Sequence, residues 1–161
     1  MKKKEHSFSF AEYDSIDDLS TEDADLLLQA RQISSSAYAP YSQFMVGAAA
    51  LLENGETVKG TNQENASYPV GICAERTLLA AAGTIFPGMP IEAMAISYSN
   101  KSNSGDYPIL PCGMCRQALM EFEDRTQKPV RLILGGHTGH IFIINRASDL
   151  LPLAFTGKEL K

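Results

Sequence analysis

Met45-Val46-Gly47-Ala48-Ala49-Ala50-Leu51-Leu52-Glu53-Asn54-Gly55-Glu56-Thr57-Val58-Lys59-Gly60-Thr61 is the stretch from which the fold follows. Residues 45–53 form an apolar run of mostly small side chains, the pattern of a buried strand. Asn54-Gly55 is a two-residue hairpin signal, and Glu56 to Thr61 reads as the returning strand. Upstream, Ser20-Thr21-Glu22-Asp23 is a capped helix start with acids at the positive end of the dipole. Ala24, Leu27, Leu28 and Ile33 supply an apolar face through about Ala37, and Ala39-Pro40-Tyr41-Ser42 ends it.

Downstream, Asn62 to Ile72 reads as a loop carrying Pro69 and Gly71. Residues 73–86 read as an Ala-rich helix stopped by Pro87-Gly88-Met89-Pro90. Ile91 to Tyr98 is a strand, and Ser99 to Tyr107 a polar loop. Pro111-Cys112-Gly113 opens a further helix to about Asp124. Pro129 to Leu134 and Ile141 to Asn145 are strands joined by a Gly-rich turn, and Asp149 to Phe155 closes the chain as a short irregular or helical piece. This order predicts an α/β protein with one mixed sheet of about five strands and helices on both faces, a three-layer α/β/α sandwich.

The 161 residues suit one domain, here residues 21–161, preceded by a flexible acidic extension over residues 1–20. The net charge of −5 arises at the N-terminus: residues 1–25 hold three lysines and eight acids, leaving eleven of each sign in the body. A neutral body lacks the basic stripe that draws in polyanions, which argues against a nucleic-acid polymer as partner. No apolar run is long enough to span a bilayer, and Lys2-Lys3-Lys4 is not followed by a signal-peptide core, which predicts a cytoplasmic protein without a membrane partner.

Cys73, Cys112 and Cys115 are the only cysteines. An odd count with one Cys-x-x-Cys argues against a secreted disulfide framework and for metal or redox chemistry. Three thiolates can form three corners of a tetrahedral zinc site and leave the fourth to water. A closed structural site would need His137 as fourth ligand, and a redox dithiol would use Cys112 and Cys115 alone. Both cysteine clusters fall at expected helix starts, where orphan N–H groups and the dipole stabilise thiolates. Glu75, two residues after Cys73, can stand beside the metal without ligating it and move a proton.

Cys73-Ala74-Glu75 with Pro111-Cys112-Gly113-Met114-Cys115 resembles the signature of the zinc nucleobase deaminases. Residues 39–49, 60–69, 71–77, 111–117 and 150–155 extend the likeness to the small homotetrameric cytidine deaminases, over about residues 21–157. The resemblance implies a Zn²⁺ in each subunit held by Cys73, Cys112 and Cys115. It implies deamination of cytidine and deoxycytidine in pyrimidine salvage, a zinc-bound hydroxide attacking C4 with Glu75 as proton shuttle. It further implies Phe44 against the base, Ala74 backbone on the base edge, and Asn62 with Glu64 on the ribose 3′-hydroxyl. Arg76 would draw charge from the thiolates, while Ala66, Tyr68 and Phe155 would reach a neighbouring subunit's site in a homotetramer. The alternatives are deamination of another cytosine nucleoside such as blasticidin S, editing of a polynucleotide, and a zinc-stabilised binding module without catalysis. His137 and His140 read as turn and strand-edge residues, and Arg116 as a residue that orients the second cysteine pair.

Overall fold

The computed structural model describes residues 1–100 and 105–160. Its strands are β1 (Ala11–Tyr13), β2 (Phe44–Leu52), β3 (Thr57–Thr61), β4 (Ile91–Asn100), β5 (Arg131–Gly135) and β6 (Ile141–Ile144), and its helices are α1 (Thr21–Ser34), α2 (Ala74–Ile85) and α3 (Gly113–Thr126). They form one sheet in the order β1-β6-β5-β4-β2-β3. Among the described strands only β4 and β5 pair in parallel, and the stretch between Asn100 and Arg131 carries α3 as the crossover.

The strands alternate between two cores, as a sheet covered on both faces requires. Val46, Ala48, Met94, Ile96, Leu132, Leu134, Phe142 and Ile144 point to α2 and α3, joining Leu78, Leu119 and Phe122. Ala49, Ala93, Ala95, Ile133, Ile141 and Ile143 point to α1, joining Leu26, Leu27 and Ala30. This is the expected three-layer α/β/α arrangement. The sheet has six strands rather than about five, because Ala11–Tyr13 of the extension adds to the edge of β6. Three residues reading Ala-Glu-Tyr carry no periodicity, so no sequence pattern marks them. Their place is held by backbone pairing and by the Phe10 ring against Phe142, centroids 4.9 Å apart.

Two local readings are corrected. The buried face of α1 is Asp23, Leu26, Leu27, Ala30 and Ser34, while Leu28 is exposed and Ala24 and Ile33 are half-buried. The buried Asp23 receives Arg131 at 2.8 and 2.5 Å, a bidentate pair that ties α1 to β5 and lets a carboxylate sit on the buried face of the helix. The β2–β3 hairpin has a three-residue loop, not two, since Gly55 N–H bonds Leu52 O and Leu52 N–H bonds Glu56 O. Gly55 takes the left-handed conformation that this wider turn needs, φ 84°. The expected polar loop from Ser99 is partly strand, through Asn100, and its residues 101–104 lie outside the described residues.

Gly60 decides how near α2 comes to the sheet. A Cβ there would stand 2.6 Å from both Ala74 O and Leu78 N, inside the helix backbone. The absent side chain therefore lets the first turn of α2 rest directly on β3, setting where Cys73 and Glu75 project. Gly60→Ala is expected to lower stability by about 1–3 kcal/mol, the usual range for overpacking a tight contact. It should also weaken zinc retention, read by thermal melting and metal content per chain. Melting unchanged from wild type would show that the contact yields freely.

Candidate metal centre and active-site cavity

Each cysteine is delivered by a helix start. Cys73 is the N-cap of α2 and Cys112 the N-cap of α3, both with extended backbone and neither side chain spent on capping. Cys115 lies one turn into α3 and is buried, whereas Cys112 is exposed and Cys73 half-buried. The Cys73 and Cys112 sulfurs are 3.8 Å apart, those of Cys112 and Cys115 3.4 Å, and all three lie within 4.8 Å of one another. Sulfurs at about 2.3 Å from one tetrahedral zinc stand about 3.8 Å apart, so the donor set and its spacing fit that ion. Among the described residues, His137 is not part of this cluster; it stands exposed in the β5–β6 turn.

The protein prepares one thiolate before any metal arrives. Contact with the Cys115 thiol holds Cys73 down to about 6, with Cys112 and the Arg76 charge acting in the same direction. Cys115 is pushed far above the ordinary thiol range by that same contact and by burial. Glu75 is 5% exposed, and burial raises its carboxyl above the ordinary carboxylate range. Its own backbone N–H, Cys115 and Arg76 oppose the rise. A buried carboxyl with a raised pKa beside a cluster of metal-binding thiols is suited to take up and release protons.

Cys73, Cys112 and Glu75 line a cavity of about 620 Å³ together with Ser42, Phe44, Val46, Asn62, Glu64, Ile109 and Leu110. Four residues expected at the site, Phe44, Asn62, Glu64 and Glu75, thus meet beside the cysteines. The Phe44 ring stacks on buried Tyr98 with centroids 4.9 Å apart and planes 19° apart. Asn62 is pinned at both ends of its amide: Oδ1 accepts from Val46 N–H at 2.7 Å, and Nδ2 donates to Phe44 O at 2.9 Å. The Glu64 carboxylate accepts from Ser42 Oγ, from Tyr41 N–H at 2.8 Å and from Ser42 N–H at 3.3 Å. Those bonds, the Ser42 hydroxyl foremost, hold its carboxyl below the usual carboxylate range.

The remaining expected residues sit elsewhere. Ala74 is buried at the first position of α2, where its N–H has no partner within the helix. Arg76 Nη1 reaches the Met114 sulfur at 3.9 Å, and its charge acts on Cys73 and Glu75. Tyr68, 78% exposed, borders a second cavity of about 440 Å³ that shares Ser42, Asn62, Glu64 and Cys73 with the first. Phe155 is 59% exposed in a hollow with Arg76, Met114 and Gln117, and Ala66 is exposed outside these cavities. Ser42, Tyr98, Ile109, Leu110 and Gln117 were not singled out from sequence. For Ser42 a signal existed: a hydroxyl two residues before Phe44 is the spacing of a side chain that bonds the Phe44 N–H, here at 3.0 Å. Arg116 donates to Pro111 O at 2.8 Å and to Leu150 O at 3.0 Å, fixing the peptide that leads into Cys112.

Three thiols, a buried carboxyl and a polar-and-aromatic cavity on an α/β/α frame define a zinc-thiolate deaminase class. A model of the cytidine and deoxycytidylate deaminase zinc-binding region matches residues 20–129, and the chain belongs to that family. A cytidine deaminase of Halalkalibacterium halodurans is 38% identical over 135 residues, covering 84% of this chain and 95% of the relative. One from Mycobacterium tuberculosis is 36% identical over 132 residues, 78% of this chain and 84% of its own. Among solved structures, cytidine deaminase from Burkholderia pseudomallei superposes with a TM-score of 0.71 at 37% identity, over 85% of this chain and 100% of that one.

Two outcomes are expected of this site. Cys112→Ser should reduce bound zinc well below one ion per chain without unfolding the sheet, as measured by metal analysis beside circular dichroism. Full zinc occupancy in that variant would remove Cys112 from the ligand set. Separately, a carboxyl whose folded pKa is depressed keeps its bonds above the ordinary carboxylate pKa of about 4.3 and loses them as pH falls through the lower folded value. The Tyr41 and Ser42 amide resonances should therefore titrate together with a midpoint below about 4.3. A midpoint above it would contradict the bonds to Glu64.

Proposed function

We propose that the chain is a zinc-dependent hydrolytic deaminase of cytidine and deoxycytidine, serving pyrimidine salvage. The observation that carries this reading is a cluster of three thiols of which Cys73 and Cys112 line one cavity together with buried Glu75. Cys73, Cys112 and Cys115 would hold a zinc ion, which would supply the Lewis acidity that makes a water more acidic. Glu75 takes the proton of the attacking water, gives it to N3 of the pyrimidine, and passes a proton to the amino group departing from C4. Cytidine and water thus become uridine and ammonia, and one carboxyl acts in turn as base and acid.

Phe44 packs on the base and the Ala74 backbone reads its edge. Asn62 and Glu64 take the ribose 3′-hydroxyl, which suits them chemically: a hydroxyl can donate to a carboxylate and accept from an amide. Arg76 offsets the negative charge of three thiolates around Zn²⁺. The enzyme works in the cytoplasm on a small nucleoside, without a nucleic-acid or membrane partner. No helix among the described residues is long and apolar enough to cross a membrane.

The assembly is a homotetramer in which Ala66, Tyr68 and Phe155 complete a neighbouring subunit's site. Large exposed side chains, Tyr68 at the second cavity and Met114 with Phe155 in the hollow beside Arg76, support this, since exposed apolar surface of that kind is a common mark of a protein contact. Sedimentation equilibrium should give four times the chain mass, and Tyr68→Ala should lower both assembly and turnover. A fully active monomer would overturn the assembly.

Purified protein should convert cytidine to uridine, followed by the fall in ultraviolet absorbance. Glu75→Gln should cut kcat by at least about a hundredfold with zinc retained, the usual scale of a general acid–base residue. A chelator that strips the metal should abolish turnover, and added zinc should restore it. Zinc-loaded protein inactive on both nucleosides would sink the salvage reading; activity on blasticidin S alone would move it to that substrate.

A further inference from the structure

Ser42 lies in the turn between α1 and β2, and its hydroxyl is used twice. It donates to the Glu64 carboxylate and accepts from the Phe44 N–H at 3.0 Å. A hydroxyl carries one proton to give, so this pairing commits it: with Glu64 as acceptor, the remaining lone pairs face Phe44. The Phe44 carbonyl is held from the other side by Asn62 Nδ2 at 2.9 Å. Phe44 is therefore clamped at both backbone polar atoms, one by each neighbour of the cavity's polar end.

The backbone shows how the hydroxyl is aimed. Gln43, between Ser42 and Phe44, is left-handed at φ 57°, an uncommon state for a residue with a side chain. Its N–H donates to Ala39 O at 3.0 Å and its Nε2 to Pro40 O at 3.0 Å, so main chain and side chain both tie the kink to the preceding turn. The kink folds Ser42 back over its own chain, bringing its Oγ to both Phe44 and Glu64.

The acceptor count at Glu64 then becomes informative. A carboxylate offers about four lone-pair positions, and three are taken: one on Oε1 by Ser42 Oγ, two on Oε2 by Tyr41 and Ser42 N–H. One position is left on Oε1, the oxygen that Ser42 orients. Rotation of the carboxylate would break the Ser42 hydroxyl bond along with the two N–H bonds on Oε2, and the hydroxyl is the one side-chain group among the three that fixes the direction of that last lone pair.

We propose that Ser42 is a positioning residue that couples the sugar end of the site to the base end, through one hydroxyl shared between Glu64 and the Phe44 backbone. This rests on the nucleoside reading given above for Phe44 and Glu64. Ser42 itself touches neither the metal ligands nor Glu75 in this arrangement; its effect falls on how well the nucleoside is held.

The test compares cytidine with 3′-deoxycytidine, using zinc-loaded enzyme and the variants Ser42→Ala and Ser42→Thr. In Ser42→Ala, kcat/KM for cytidine should fall about tenfold, mainly through KM, an effect of about 1.4 kcal/mol on transition-state binding. On 3′-deoxycytidine the same substitution should cost distinctly less, because the hydroxyl that Glu64 would receive is missing. Ser42→Thr keeps the hydroxyl and should restore most of the cytidine activity. Equal losses on the two substrates, or a loss that Thr does not repair, would reduce Ser42 to a structural turn residue and overturn the proposal. Wild-type enzyme with no turnover of cytidine would instead sink the functional reading, and this assignment with it.

Discussion

Three sulfur atoms on two different helices have to come within a few ångströms of one another, and most of the molecule serves that meeting. Each helix contributes the end that carries unpaired N–H groups, the end at which a negative sulfur is most stable. The convergence depends on the sheet beneath. β3 brings Gly60 under the first turn of α2, with no Cβ to hold the helix off. α3 is placed by the crossover from β4 to β5 and fixed at its entry by Arg116, which binds the Pro111 and Leu150 carbonyls together. Moving either helix by the width of a methyl group would separate sulfurs now 3.4 and 3.8 Å apart.

Electrostatics divides the cavity into two ends. Around the cysteines, burial and neighbouring thiols act on each other, pulling Cys73 down to about 6 while driving Cys115 and Glu75 upward. At the other end Glu64 is drawn down by hydrogen bonds from the 41–42 turn, so it stays a charged acceptor. Two carboxyl groups in one cavity thus have opposite tendencies, one towards carrying a proton and one towards refusing it. That separation supports the proton-moving task proposed for Glu75 and the hydroxyl-holding task proposed for Glu64.

The likeness to known cytidine deaminases covers the sandwich and begins at residue 20, so the extension stands apart from it. Its strand β1 closes the β6 edge, and the Phe10 and Tyr107 rings pack on Phe142 at 4.9 and 5.5 Å. His140 Nδ1 lies 3.2 Å from Glu12 Oε1 across the same edge. An edge strand left open would present unpaired backbone groups to other chains, and three paired residues suffice to shorten that exposure.

Much of this was legible in the sequence. The small-residue run of β2, the glycine turn behind it and the Pro-Cys-Gly start of α3 are local signals, set by side-chain size, backbone freedom and capping, and they fix elements wherever they occur. Cys73, Glu75, Cys112 and Cys115 could likewise be read as one centre, because thiols grouped at helix starts have few other uses. Tertiary structure decided what depends on partners distant in the chain. Asp23 is buried only because Arg131 meets it, so periodicity alone sent Leu28 inward in its place. Ser42 carries its hydroxyl in any conformation, but its two bonds exist only once Glu64, 22 residues away, folds back to the turn. Short-range sterics are written residue by residue; the pairing of distant polar groups is settled by the packed sheet that brings them within hydrogen-bond reach.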